Sequence, residues 1–118
     1  MLTNRSRKQT IAAKARFART FWQRFRGLMF FRRKDFDFAL VFELPQETRI
    51  GAGIHMLFVF FAIDVVFLDS RKKVVDVVRN LKPFAPGYAP KKAAKYIIEL
   101  PAGAAKNIRV GDEIGWQD

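Results

Sequence analysis

From Asp35 to Leu44 the chain alternates without a break. Phe36, Phe38, Leu40, Phe42 and Leu44 point one way, and Asp35, Asp37, Ala39, Val41 and Glu43 the other. A period of two belongs to a strand and not to a helix, so this run predicts a half-buried strand with an apolar face. That face needs a partner layer, which sets the class of fold the rest of the chain must complete. Ile54 to Leu68 is dense in β-branched and aromatic residues and reads as two buried strand segments, bent near Ala62 to Asp64. Asp69 to Lys72 is a polar turn, Lys73 to Val78 alternates again, and Lys95 to Leu100 reads as a further strand. Pro45 to Gly53 and the proline-bearing Arg79 to Lys92 read as loops, and short strands flank a Gly111-Asp112 turn. The prediction is a mainly-β fold, α+β by count: a small antiparallel β-sandwich or barrel with one or two short helices.

The helix is expected near the start. Thr20 followed by Gln23 has capping-box spacing, which predicts a helix from Thr20 to about Met29 behind a short edge strand near Ala12 to Ala18. Gly27 inside it either weakens it by about 1 kcal/mol or marks a close backbone contact. Phe17, Phe21, Trp22 and Phe25 stand at helical spacing, the usual pattern of a core-facing stripe. With 118 residues the chain has the size of one domain, and thirteen phenylalanines among 50% apolar residues exclude a disordered chain. Residues 1–10 show no periodicity and are expected to form a basic flexible tail, with 11–118 as a single mainly-β domain.

Charge divides the chain. The first 34 residues hold eleven Lys or Arg and no acid, while residues 35–118 hold eleven of each, so the whole excess of +11 lies at one end. Such asymmetry points to nucleic acid, another polyanion or an anionic membrane face. The candidate anion-binding side chains are Arg16, Arg19, Arg24, Arg26, Arg32 and Arg33, interleaved with aromatics as in surfaces that bind by charge and stacking. No secretory h-region or transmembrane span is present: Lys14 and Arg16 break the early apolar stretch, and Met56 to Ile63 is far shorter than the about 20 residues a span needs. A cytoplasmic protein is expected, an Arg-rich targeting presequence being the alternative.

Reactive residues are few. Cysteine is absent and there is one histidine, which excludes a thiolate metal site, a disulfide scaffold and a multi-histidine cage. Ser6 and Ser70 lie in the basic segment and a turn, so a serine nucleophile has no support. His55 opens an apolar run, Asp64 interrupts another, and Glu99 sits in Tyr96-Ile97-Ile98-Glu99-Leu100. A carboxylate in an apolar strand pairs with a base, accepts backbone amides or has a raised pKa. His55, Asp64 and Glu99 are therefore the candidate ligand site. Against that stands a structural role, with Asp64 accepting amides at the strand bend.

The segments Arg26-Gly27-Leu28-Met29-Phe30, Ile54-His55-Met56, Ile63-Asp64-Val65-Val66-Phe67-Leu68-Asp69, Glu99-Leu100-Pro101-Ala102-Gly103 and Val110-Gly111-Asp112 occur in that order. Together they resemble domain-of-unknown-function family 192, also called uncharacterised protein family 127, across roughly Ala15 to Trp116. The resemblance implies a compact mainly-β domain and supplies no catalytic mechanism. The residues matching its pattern are Gly27, Met29, Met56, Asp64, Glu99, Gly103 and Asp112. Ala62 replaces the family's usual proline, and His55 stands where many members carry tryptophan, which argues against an essential imidazole. These readings favour a non-catalytic module that contacts an anionic partner through its N-terminal region. The alternative is a small-ligand or enzymatic cleft near His55, Asp64 and Glu99, and a third reading is peripheral membrane contact through Phe21, Trp22 and Phe25. A monomer without cofactor or metal is expected.

Overall fold

The computed structural model describes residues 1–85 and 87–116. Its elements are β1 (Leu2–Asn4), β2 (Gln9–Ala12), β3 (Ala15–Ala18), α1 (Phe21–Arg26), β4 (Ala39–Thr48), β5 (Ile63–Leu68), β6 (Val74–Leu81), β7 (Ala94–Pro101) and β8 (Ile114–Gly115), with 3-10 turns at Arg33–Asp35 and Ile50–Ala52. Five strands form an open sheet in the order β3-β4-β7-β5-β6, and three form a smaller one in the order β2-β1-β8. The mainly-β class with a short helix is as predicted. All pairs are antiparallel except β3 with β4, where a parallel edge strand enters through the α1 connection.

The alternation in β4 sorts its side chains onto the two faces of the large sheet. Phe36, Phe38, Leu40, Phe42 and Leu44 join one apolar cluster with Ile63, Val65, Phe67 and Ile97. Ala39 and Val41 join a second cluster with Val66, Leu68, Ile98, Leu100 and, from the small sheet, Leu2 and Ile114. The strand is thus buried on both faces and not on one, because the small sheet covers Ala39 and Val41 on the second face. It begins later than predicted, at Ala39, and runs through Pro45 to Thr48, where its ladder with β7 is irregular and has no need of a proline N–H.

Two further expectations are corrected. Residues 1–10 are not a flexible tail: β1 and β2 form a hairpin, and β1 pairs with β8. Leu2 and Asn4 are buried, and Asn4 Nδ2 donates to Asp112 Oδ2 over 2.9 Å. A segment read by its charges concealed a strand whose apolar and amide groups fit the far end of the chain. Residues 54–62 are not a strand. Met56, Val59 and Phe61 turn inward while Leu57, Phe58 and Phe60 face solvent, and Phe58 has a left-handed backbone (φ 55°). A short apolar run reads alike in a strand and in a plug beneath a core, and here it is a plug.

Helix α1 starts as predicted. Thr20 Oγ1 accepts from the Gln23 amide (3.1 Å), and Gln23 Oε1 accepts from the Thr20 amide (3.1 Å). Gly27 does not lie inside the helix but ends it, with φ 45°. A Cβ there would meet Phe42 Cζ at 3.3 Å, so glycine also permits the close approach of the helix end to β4. The aromatic stripe is not core. Phe21 and Trp22 are 67% and 76% exposed, Phe25 is exposed too, and no residue of α1 is buried. Phe17, on β3, is half-buried and packs toward Trp116 at 6.5 Å between ring centroids.

Candidate functional site

The three candidate residues separate once folded. Asp64 lies on the face of β5 turned toward the small-sheet side. Its Oδ1 accepts from the Asn80 amide, and its Oδ2 from the Gly103 and Ala105 amides, each at 2.9 Å. Three amide donors satisfy a carboxylate that is 1% exposed, so Asp64 ties β6 and the 101–105 turn to β5. Gly103, with φ 94°, presents one of those amides by adopting a backbone that other residues avoid.

His55 is exposed, and both its ring nitrogens are engaged. Nδ1 accepts from the Leu57 amide (3.2 Å), which places the ring proton on Nε2, facing the Phe25 carbonyl at 3.2 Å. The imidazole therefore pins α1 to the 54–58 loop, assisted by an edge contact with the Phe25 ring at 5.7 Å. A ring so occupied lacks the free nitrogen that a general base or metal ligand needs.

Glu99 differs from both. It lies on β7 in register with Leu40 of β4 and Val65 of β5, in the middle of the large sheet and on its α1 side. It is 5% exposed, and among the described residues no hydrogen bond or ion pair reaches its carboxyl group. Every fully buried side-chain oxygen among them has a partner, so the carboxyl oxygens of Glu99 keep some exposure of their own. They open into a cavity of about 90 Å³ between the sheet and α1. Burial without compensation pushes the carboxyl up to about 8, so it is mostly protonated at neutral pH. Phe42, Leu44 and Ile97 from the sheet, Met29 and the end of α1, and Gly53 with His55 enclose the space. His55 and Glu99 thus share one cavity and Asp64 does not. Among the described residues no three His, Asp or Glu side chains converge as a metal site.

The remaining matched positions are structural. Met56 is a core residue. Asp112 accepts from Asn4 Nδ2 (2.9 Å), Arg7 Nε (2.8 Å) and the Arg109 amide (2.9 Å). Burial acts to raise its pKa, but those three donors outweigh it and hold the carboxyl below the usual range.

The basic end is partly neutralised by folding. Arg5 pairs with Glu113, Arg7 with Asp112, Lys14 with Asp37, Arg19 with Glu43 and Arg32 with Asp35. Arg16 lies over the Phe38 ring at 4.1 Å, and Arg24 donates to the Arg19 carbonyl. Among the described residues, Arg24, Arg26, Arg33 and Lys34 have no acidic partner. They flank the exposed rings of α1 and a second exposed aromatic group, where Phe30 stacks on Phe58 at 4.9 Å and Phe84 packs against Phe58 and Phe60.

The model of the family described as "Uncharacterized ACR, COG1430", DUF192, matches residues 2–116. The chain belongs to the DUF192 family. It is 47% identical over 117 residues to a UPF0127 protein of Pyrococcus furiosus, covering 98% of this chain and 97% of that one. It is 46% identical to a UPF0127 protein of Thermococcus sibiricus, covering 99% of this chain and 75% of that one. Among solved structures, a candidate transcription regulator of Sinorhizobium meliloti superposes with a TM-score of 0.78 at 22% identity, covering 86% of this chain and 79% of that one. A protein of unknown function from Novosphingobium aromaticivorans gives 0.76 at 21%, covering 86% and 74%. These two likenesses concern the fold alone. The DUF192 match includes residues 2–10, in keeping with β1 and β2 as part of the fold. Among the described residues no helix is long and apolar enough to cross a membrane.

The DUF192 motifs, placed on the structure, divide by role: Asp64, Gly103 and Asp112 build anchors, while Gly27, Met29 and Glu99 bound the cavity. Glu99 announced itself in sequence as an acid among apolar strand residues. Phe42 and Met29 carried no such signal, because cavity walls and core residues share one composition.

Proposed function

We propose that this DUF192 protein is a non-catalytic binding module that docks on single-stranded nucleic acid through α1 and the turn after it. The observation that carries the reading is the exposure of Phe21, Trp22 and Phe25 beside cations that pair with no acid among the described residues: Arg24, Arg26, Arg33 and Lys34. Exposed rings offer stacking surfaces to bases, and arginines follow a phosphate backbone. A contiguous aromatic patch on a molecule with formal charge +11 is costly to leave in water and is complementary to an anionic, aromatic polymer. The setting is the cytoplasm, where such polymers are abundant. Folding reduces the cationic set, since five of the first eleven bases are already paired.

Fluorescence anisotropy with a labelled oligonucleotide, repeated across salt concentrations, tests this. Four phosphate contacts predict that log K falls with a slope of about −3 per log unit of salt. Trp22→Ala with Phe25→Ala is expected to weaken binding at least tenfold, since one stacked base is worth about 1–3 kcal/mol. A slope near zero, or no effect of the double variant, overturns the reading. Binding to anionic vesicles in place of the oligonucleotide would replace nucleic acid by a lipid surface.

A further inference from the structure

We propose that the cavity under α1 is a binding site for a small primary alkylammonium, with the Glu99 carboxyl group as its counter-group. Three observations converge on that class. The floor is an acid at 5% exposure with no partner among the described residues, and a buried polar group left this way is a standing cost that a donor would relieve. The walls mix apolar side chains with polar groups, and two of the apolar ones are aromatic rings, Phe25 and Phe42, whose faces attract cations. The volume of about 90 Å³ exceeds the 10–15 Å³ needed by one water and is too small for a nucleotide or a sugar. A purely apolar guest would leave that floor unrelieved. A metal ion lacks further ligands among the described residues.

The charged or titratable groups that share the cavity are Arg24 and Arg26 from α1 and His55 from the 54–58 loop. Both nitrogens of His55 are engaged, and Arg24 is drawn away by the Arg19 carbonyl. From β4 and β5 the neighbours of Glu99 on this face are apolar: Leu40, Phe42 and Val65. An entering ammonium therefore meets one group able to answer its charge. Because that group is mostly protonated at pH 7, binding must release its proton to the solvent: carboxylic acid and alkylammonium become an ion pair and a free proton.

Calorimetric titration of the full chain with n-propylammonium chloride, in buffers of different ionisation enthalpy, tests this site. At pH 7 about 0.9 proton should be released per ligand bound, and at pH 9 about 0.1. Affinity should rise about tenfold from pH 7 to pH 9, where the alkylammonium is still charged. Glu99→Gln is expected to lower affinity at least tenfold while keeping the native amide spectrum. Should that variant fail to fold, proton release and the pH dependence of the wild type decide alone. No binding at millimolar ligand, binding without proton release, affinity independent of pH, or equal binding by a folded Glu99→Gln overturns the proposal. Glu99 lies beneath α1 and not on its exposed face, so oligonucleotide binding by Glu99→Gln stays unchanged, and the two readings fail separately.

Discussion

The two faces of the large sheet are built from similar apolar residues and are covered differently. On the small-sheet side, Leu2, Ile114 and Trp116 lie over Val41, Val66 and Ile98, and the acids are saturated: Asp64 by three amides, Asp112 by Asn4, Arg7 and the Arg109 amide. On the other side, the cover includes a six-residue helix with no buried side chain, and beneath it lies an acid without a donor among the described residues. A helix that buries nothing contributes little to the core. An acid buried without partners costs stability that a leucine would not. The first face is organised for holding the fold together, and the second retains features that the fold alone does not require.

Substituting the buried acids breaks this comparison most directly. Asp64→Ala strands three amides in the interior and is expected to lower stability by at least about 3 kcal/mol, read by urea denaturation. A loss below about 1 kcal/mol would mean that the anchor is dispensable. Glu99 should also set a slope of stability against pH. Its folded carboxyl is raised to about 8 from an ordinary 4.5, so the native state holds the proton that the unfolded chain gives up. That contribution is fully present below pH 4.5, is lost as pH rises toward 8, and levels off above it, a change of a few kcal/mol that Glu99→Gln removes. At pH 7, Glu99→Leu is expected to act opposite to Asp64→Ala, stabilising the fold by about 1–2 kcal/mol. Destabilisation by that leucine would indicate that the acid serves the fold after all. Smallest of all, Trp22→Ser should change stability by no more than about 0.5 kcal/mol, because its ring is 76% exposed. A larger cost would place α1 in the core.

Much of this architecture was legible from local pattern. The alternation around β4 assigned each phenylalanine to its face, and the Thr20–Gln23 spacing located the start of α1. What escaped depended on distant chain. Ala39 and Val41 become core only because residues 2–4 and 114–116 return to cover them. The Asn4–Asp112 contact spans 108 positions, and nothing near Asn4 announces it. For α1 the helical spacing was legible and its meaning stayed open, since an apolar stripe looks the same whether it faces a core or a partner. At the site, an acid among strand residues marked both Asp64 and Glu99. Their opposite fates turn on one-residue parity along the sheet, which sends Asp64 toward the amides of the 101–105 turn and Glu99 toward the cavity.

The carboxyl carbon of Glu99 reports that difference directly. Followed by ¹³C NMR through a pH titration of the ligand-free protein, its signal should move with a midpoint near 8, while Asp112 titrates below the usual carboxylate range. A midpoint for Glu99 near 4.5 would mean that the group is hydrated or partnered, and the contrast between the two faces would not stand.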